Sequence, residues 1–518
     1  MSRRLLALSL LVLLVAGLAP VGLVLARLTG HPEVVAELLD PRTVELLERT
    51  LRLGLGAAGI ALLLGVPFGW LTTRTDLPLA RLWRVLGLVP LILPPLIMAV
   101  TWIMVTDLRG EAVTIFLMGL ATFPLVSVFT AKAAERIDAR RQEAALLAGG
   151  LKAVIRSELP LLLPAAMCGA CFAFVFAIND FGLPDYVSSK GPKFNVYADE
   201  IFARWQVDPQ PGISDAKAVA SALPLIALTL VALLPALFLR RQGSLATVDA
   251  DFQRPAPLSL GGWRGPALLF CVGLVTLGAG IPIGRLLFEA GGGRTGPWTY
   301  EGLARAFSQA LELCRENLLA SLLFAAGAAT VAAPFALVIG HAIARSRRGW
   351  MLEILSVLPI AAPAILFGIG NIVLWNRPGT YGFYASGALV ITMLVGRFMT
   401  FPILAQAGAS AALDPHLEEA ATLAGAGPAR RLARVVAPPL LPSLAGGWIL
   451  VFVLAMRELD TAILVPAANQ TAMFRMFNAV HFGRDDFVAA LGLMIIFVTI
   501  APGLLWTLLV GRRLEVLP

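Results

Sequence analysis

The chain has 518 residues, of which 58% are hydrophobic and 14% charged, and its mean hydropathy is +0.81. An ordinary soluble domain carries about 25% charged residues, so this composition excludes one. The formal charge of +8 comes from short basic clusters beside apolar runs rather than from one patch, which fits membrane orientation and excludes a nucleic-acid surface.

In chain order, apolar windows predict spans near 5–27, 50–72, 85–106, 112–134, 161–184 and 217–239. The first follows Arg3 and Arg4; it is longer than a signal peptide's apolar core, lacks a clear cleavage site and is read as a retained helix. A polar stretch, 240–264, follows. Spans resume near 265–288, 317–343, 351–375, 383–410, 440–466 and 487–510, so the expected fold is an all-α membrane protein with about 12 transmembrane helices. Cys168 and Cys171 have redox or zinc spacing, but they sit in an apolar run without a second pair or a nearby His and read as helix-packing residues.

With the N-terminus inside, the inside loops carry Arg74, Arg81 and Arg84; Lys132, Arg136, Arg140, Arg141, Lys152 and Arg156; Arg240 and Arg241; Arg345, Arg347 and Arg348; Arg430, Arg431 and Arg434; and Arg512 and Arg513. The first outside loop is acidic, with Glu33, Glu37, Asp40, Glu45 and Glu48. This orientation places both termini in the cytoplasm.

The two halves repeat one another. Pro90 and Pro94 in the third span answer Pro359 and Pro363 in the ninth, and Thr122-Phe123-Pro124 answers Thr400-Phe401-Pro402. Downstream, EAALLAGGLKAVIRSELPLLLP (143–164) answers EAATLAGAGPARRLARVVAPPLLP (419–442). Pro124 to Pro160 and Pro402 to Pro438 are both 36 residues, yet Glu143 to Pro160 is 17 and Glu419 to Pro438 is 19, so compensating two-residue shifts flank the first Glu-Ala-Ala. The expected organisation is a first transmembrane domain 1–245, a cytoplasmic linker 246–264 and a second transmembrane domain 265–518, related by an axis along the membrane normal.

Each Glu-Ala-Ala segment lies between the fourth and fifth spans of its half. Ala and Leu favour helix, the glycine offers a break, and the later proline starts the next helix, so the spacing predicts a short helix, a turn and a second helix at the membrane surface. One copy would suit an amphipathic connector. Two copies at matching places suit docking of a two-fold symmetric partner.

The pattern Glu-Ala-Ala, three residues, Gly, then an apolar residue and Pro resembles the cytoplasmic coupling loop of bacterial binding-protein-dependent ABC importer permeases. The resemblance implies two tandem six-helix permease domains, with Glu143, Ala144, Ala145 and Gly149, and Glu419, Ala420, Ala421 and Gly425, contacting a cytoplasmic ATPase homodimer. It further implies a periplasmic solute-binding protein that delivers solute to the outer loops 185–216 and 289–316, an inner-membrane location and alternating access. Among fused members, INDFGLPDYV (178–187) with MRELDTAILV (456–465) is more similar to ferric-iron permeases than to thiamine permeases; phosphonate carriers also look alike.

No Gly-Lys dipeptide occurs, so a Walker A phosphate cradle is absent and ATP with its Mg belongs to the partner; the chain itself is expected to bind no cofactor. His31, His341, His416 and His481 are scattered, and no hydrolase motif occurs. Candidates for substrate handling are Asn179 and Asp180, matched in register by Arg457 and Glu458, with Asp460 following. Carboxylates at such depth need a polar cavity or a partner, and oxygen ligands would suit ferric ion. The competing reading makes them ion-paired or capping residues. Arg397 is open to the same two readings. An ion-driven secondary transporter with parallel repeats is the rival class, and it leaves the paired loops unexplained.

Overall fold

The computed structural model describes residues 3–30, 41–192, 194–207, 213–244, 252–293, 296–464, 466 and 469–510. His31, Glu33, Glu37, Asp40, the start of the linker, parts of both outer loops, Arg512 and Arg513 lie outside the described residues, as do the side chains of Arg240 and Arg241. Among the described residues the regular elements are helices, with a single isolated bridge between Thr75 and Leu258. Among the described residues, nine helices are long and apolar enough to cross a membrane, or up to twelve if each of three bent pairs is one span. The protein is an all-α membrane protein.

Three expected spans are not single straight helices. The span near 85–106 is Ala80–Ile92 followed by Pro95–Thr106, bent by 95°; the span near 351–375 is Gly349–Ala361 followed by Ala364–Trp375, bent by 94°. A residue before proline is driven from helical to extended backbone. Leu93 and Ala362, each preceding a proline, have ψ of 129°, and Pro94 and Pro363 follow with ψ of 135° and 143°. The span near 383–410 bends by 48° between Gly387–Phe398 and Thr400–Ala411. The spans expected to reach 184 and 466 stop at Asn179 and Met456, where Asp180 turns extended and Arg457 caps the helix.

The chain forms two compact units: residues 41–197 with 227–286, and residues 1–40 with 198–226 and 287–518. Each combines segments from both sequence halves, so this partition differs from the repeat borders at 245 and 265.

In the first of these units, the Pro41–Arg74 helix meets Glu111–Glu135 through glycine. A Cβ at Gly69 would lie 2.5 Å from the Ser127 carbonyl oxygen and 3.1 Å from Thr130. Small residues of this kind let apolar helices approach where no hydrophobic force draws them together. Glu45 and Glu48 pair with Arg49 and Arg52 one turn on. In the other unit, Tyr300–Arg345 meets Thr400–Ala411 in the same way, with Gly340 2.7 Å from the Ile403 carbonyl oxygen and 2.6 Å from Gln406 by the same measure.

Counted from Asp138 and Asp414, these contacts are in register: Ser127, Thr130 and Ala131 answer Ile403, Gln406 and Ala407. The upstream two-residue shift therefore falls beside Pro124 and Pro402. There the first half keeps one continuous helix and the second is bent.

The apolar helix at the start of each half packs in the unit dominated by the opposite half. Its helix turns loosen to π geometry at Leu14–Leu18 and Thr276–Gly280. Gly17 then sits against Pro359, where a Cβ would be 2.8 Å away, and Gly278 sits against Pro90 at 2.6 Å. Gly396 and Gly370 receive Ala16 and Pro20 on the other side. The four cysteines are free thiols, and Cys168, Cys271 and Cys314 are buried packing residues.

Candidate functional site

The two Glu-Ala-Ala segments are helices that start on the same device. Asp138 caps the helix that begins at Ala139, accepting the Arg140 N–H at 2.8 Å; Asp414 caps Pro415–Leu423, accepting the His416 N–H at 2.9 Å. Capping by Asp satisfies donors that a helix start leaves open. These bonds hold both carboxyls below their ordinary range, for Asp138 first the Gln253 N–H and then Arg140, for Asp414 the His416 backbone and ring. Asp414 in turn raises the His416 ring above its usual value.

The helices end on glycine, as the composition predicts, but the left-handed residue differs. In the second copy Gly425 has φ of +77°, with Gly425 N–H bonded to the Thr422 carbonyl and Ala426 N–H to the Ala421 carbonyl. That is a Schellman cap. In the first copy Gly149 is extended, and Gly150, at φ +64° and ψ −152°, occupies backbone space open essentially to glycine alone. The non-helical backbone takes two residues there, whereas four, Ala424 to Gly427, separate the helices in the second copy. A π turn over Leu432–Val436 follows in the second copy, within the stretch that carries the downstream two-residue shift.

The outward faces match residue by residue. Glu143, Ala144 and Gly149 are exposed with Ala145 half-buried; Glu419, Ala420 and Gly425 are exposed with Ala421 half-buried. One turn beyond each glutamate stands an apolar side chain in the open, Leu147 at 91% exposure and Leu423 at 90%. Pro415–Leu423 buries none of its residues. A nine-residue helix has too few bonds to be stable alone, so such a helix depends on anchors and on whatever covers it.

The anchors are two arginines that sequence reasoning treats only as orientation charges. Arg74, ending its long helix, donates to Gln142 Oε1 at 2.7 Å and to Glu158, and Trp70 Nε1 donates to Glu158 Oε2 at 2.7 Å. Arg345, ending the matching helix, donates to Glu418 Oε1 at 2.9 Å and to the Leu413 carbonyl at 2.7 Å, and His341 Nε2 lies 3.1 Å from Glu418 Oε2. Gly-Trp-x-x-x-Arg (69–74) and Gly-His-x-x-x-Arg (340–345) carry the signal, once aligned.

The linker also has structure beyond a tether. Gln253 donates to Asp138 Oδ2 at 3.1 Å and accepts the Ala139 N–H, Gln142 Nε2 donates to the Ala256 carbonyl at 2.8 Å, and Leu258 bonds the backbone at Arg74 and Asp76. Arg264 completes the seam on Asp76 at 2.7 Å.

The substrate candidates are placed by capping and pairing. Asp180 Oδ1 accepts the Leu183 N–H at 2.9 Å, and Glu458 Oε1 accepts the Thr461 N–H at 3.1 Å, the same i to i+3 cap in register. Glu458 also pairs with Arg397 at 3.2 Å, beside a cleft lined by Ser321, Phe324, Met393 and Thr471. Asn179 is buried, donating to the Val175 carbonyl at 2.9 Å, and Asp460 is buried while Arg457 is half-buried. Among the described residues no group of three His, Cys, Asp or Glu side chains could hold a metal ion. Asn179 and Asp180 belong to one compact unit, and Arg457, Glu458 and Asp460 to the other.

No protein-family model matches the chain. The ferric transport system permease protein FbpB of Actinobacillus pleuropneumoniae is 24% identical over 521 residues, covering 93% of this chain and 74% of the relative. The putative ferric transport system permease protein FbpB 1 of Haemophilus influenzae is 23% identical over 452 residues, covering 81% and 69%.

Proposed function

We infer that this chain is the membrane-spanning permease subunit of an ABC importer for ferric iron. The observation that carries the reading is similarity along nearly the whole chain to permeases named for ferric transport. Both names favour iron over thiamine or a phosphonate. A multi-pass position in the inner membrane follows from the same relatives and from the apolar helices.

The finer assignments rest on the repeated site. Glu143 with Leu147, and Glu419 with Leu423, suit docking of two copies of a cytoplasmic ATPase, each receiving one short helix with an acidic and an apolar contact. ATP and Mg belong to that partner, since this chain lacks the phosphate cradle. A periplasmic binding protein hands iron to the outer loops, and both termini lie in the cytoplasm. ATP binding draws the docked pair together and shifts the permease between inward-open and outward-open populations. For the route, Glu458 and Asp460 offer the oxygen atoms a hard cation prefers, and Glu458 must loosen from Arg397 to do so.

The test is labelled ferric-iron uptake in cells lacking the chain, complemented with wild type or Glu143→Lys/Glu419→Lys. Uptake restored by wild type alone, with the ATPase lost from the double variant's tagged complex, is expected. Normal ATPase co-purification by the double variant would refute the docking assignment, and restored thiamine rather than iron uptake would refute the substrate.

A further inference from the structure

We propose that Arg74 and Arg345 are positioning residues that tie each coupling helix to the long helix before it, with the balancing carboxylate on a different element in each half. The inference rests on the coupling-helix reading above. The two sites superpose by register: Arg74 answers Arg345, Trp70 answers His341, Gln142 answers Glu418, and Glu158 answers Val436, each of the last two lying two residues before the matched prolines Pro160 and Pro438. In the first half the coupling helix offers a neutral amide, and the charge comes from Glu158 on the spanning helix that follows the break at Gly149 and Gly150. In the second the coupling helix itself carries the charge, and position 436 is apolar and buried against Leu337 and Leu440.

The consequence is unequal transmission. Any shift of the second coupling helix drags a carboxylate that Arg345 and His341 both hold, so the long helix ending at Arg345 must follow. A shift of the first acts through Gln142, whose amide is also bonded to Ala256 of the linker, while the Arg74–Glu158 pair stays in place. The first pair is nearly closed to solvent, at 3% and 1% side-chain exposure, whereas Arg345 and Glu418 are at 25% and 20%. A buried charge pair resists separation because each partner left alone is uncompensated. The first coupling helix is thus braced and the second is the charged lever.

The experiment relocates the carboxylate in the full chain, tagged and purified with its ATPase into liposomes with the binding protein. Glu418→Gln should keep the ATPase bound but lose about tenfold in ferric iron carried per ATP hydrolysed, within the usual range of coupling between sites. Adding Val436→Glu, which copies the first half's arrangement, should restore most of that loss. Glu158→Gln with and without Gln142→Glu is the mirror test in the other half. Unchanged iron per ATP in both single variants would overturn the proposal. So would failure of both relocated pairs to recover although the chain inserts and binds its ATPase, or loss of the ATPase from Glu418→Gln. Failure of the docking reading itself shows elsewhere, as normal ATPase binding by Glu143→Lys/Glu419→Lys.

Discussion

Leu147 and Leu423 show how a single exposed side chain can be worth more to function than to folding. Each touches too little of the chain to matter for its stability, and exposed substitutions usually stay within about 0.5 kcal/mol. A leucine buried by a partner at the centre of a small interface can instead be a hot spot of about 2 kcal/mol. Leu147→Ala/Leu423→Ala should therefore insert and melt like wild type while ATPase co-purification drops sharply; parallel loss of thermal stability would show that the leucines serve the fold. The sequence marks Glu143 and Glu419 because a repeated charge stands out from an apolar background. It hides the leucines, since leucine is ordinary in such a chain and exposure is a tertiary property. Arg74 and Arg345 are hidden for the opposite reason. Any basic residue at a helix end satisfies an orientation rule, and only folding decides which turns back to meet Glu158 or Glu418.

The glycine ends of the two short helices were legible in the sequence, whereas the breaks inside the spans near 85–106 and 351–375 were not. Pro94 and Pro363 disfavour helix at the residue that precedes each, yet the expected spans run through both, where the structure bends by 95° and 94°. Pro124 and Pro334 lie within continuous helices, so proline alone does not foretell a bend. The caps at Asp138 and Asp414 look alike in sequence but differ in what they hold. Asp138 uses both oxygens, one on Arg140 and one on Gln253 of the linker, whereas Asp414 uses Oδ1 for both His416 contacts. Because its carboxyl is held below the ordinary range, the contribution of Asp138 is present above that range and lost as pH falls through the lowered value. At neutral pH the linker seam is fully formed. Asp138→Asn removes one acceptor and should speed hydrogen exchange at the Gln253 and Ala139 amides, while Asp414→Asn leaves the exchange there unchanged. Equal exchange in wild type and Asp138→Asn would mean that Leu258 and Arg264 hold the linker without the cap.

At the scale of the molecule, likeness between the two sequence halves and compact packing are separate matters. Duplicated prolines and Glu-Ala-Ala segments point to a repeat because they come in the same order in each half, with Pro124 and Pro160 spaced like Pro402 and Pro438. Which helix packs with which depends on surfaces that no spacing encodes. The apolar run near 5–27 is like any other span until Gly17 meets Pro359 and Gly396 meets Ala16. These contacts make residues 3–30 part of the unit that holds most of the second half. The second half made alone would then expose Gly370 and Gly396, grooves shaped for a helix backbone that is no longer attached. Opening the chain between Ser244 and Phe252 tests this directly. Residues 252–518 expressed alone should be degraded in the membrane, and co-expression of 1–244 should restore their abundance and their ability to retain the ATPase. Equal abundance with and without the first fragment would mean that the second half is self-sufficient and that its contact with residues 3–30 adds nothing to its stability. Restoration by 1–244 but not by 41–244 would assign the effect to the first helix, because only the longer fragment supplies Ala16, Gly17 and Pro20.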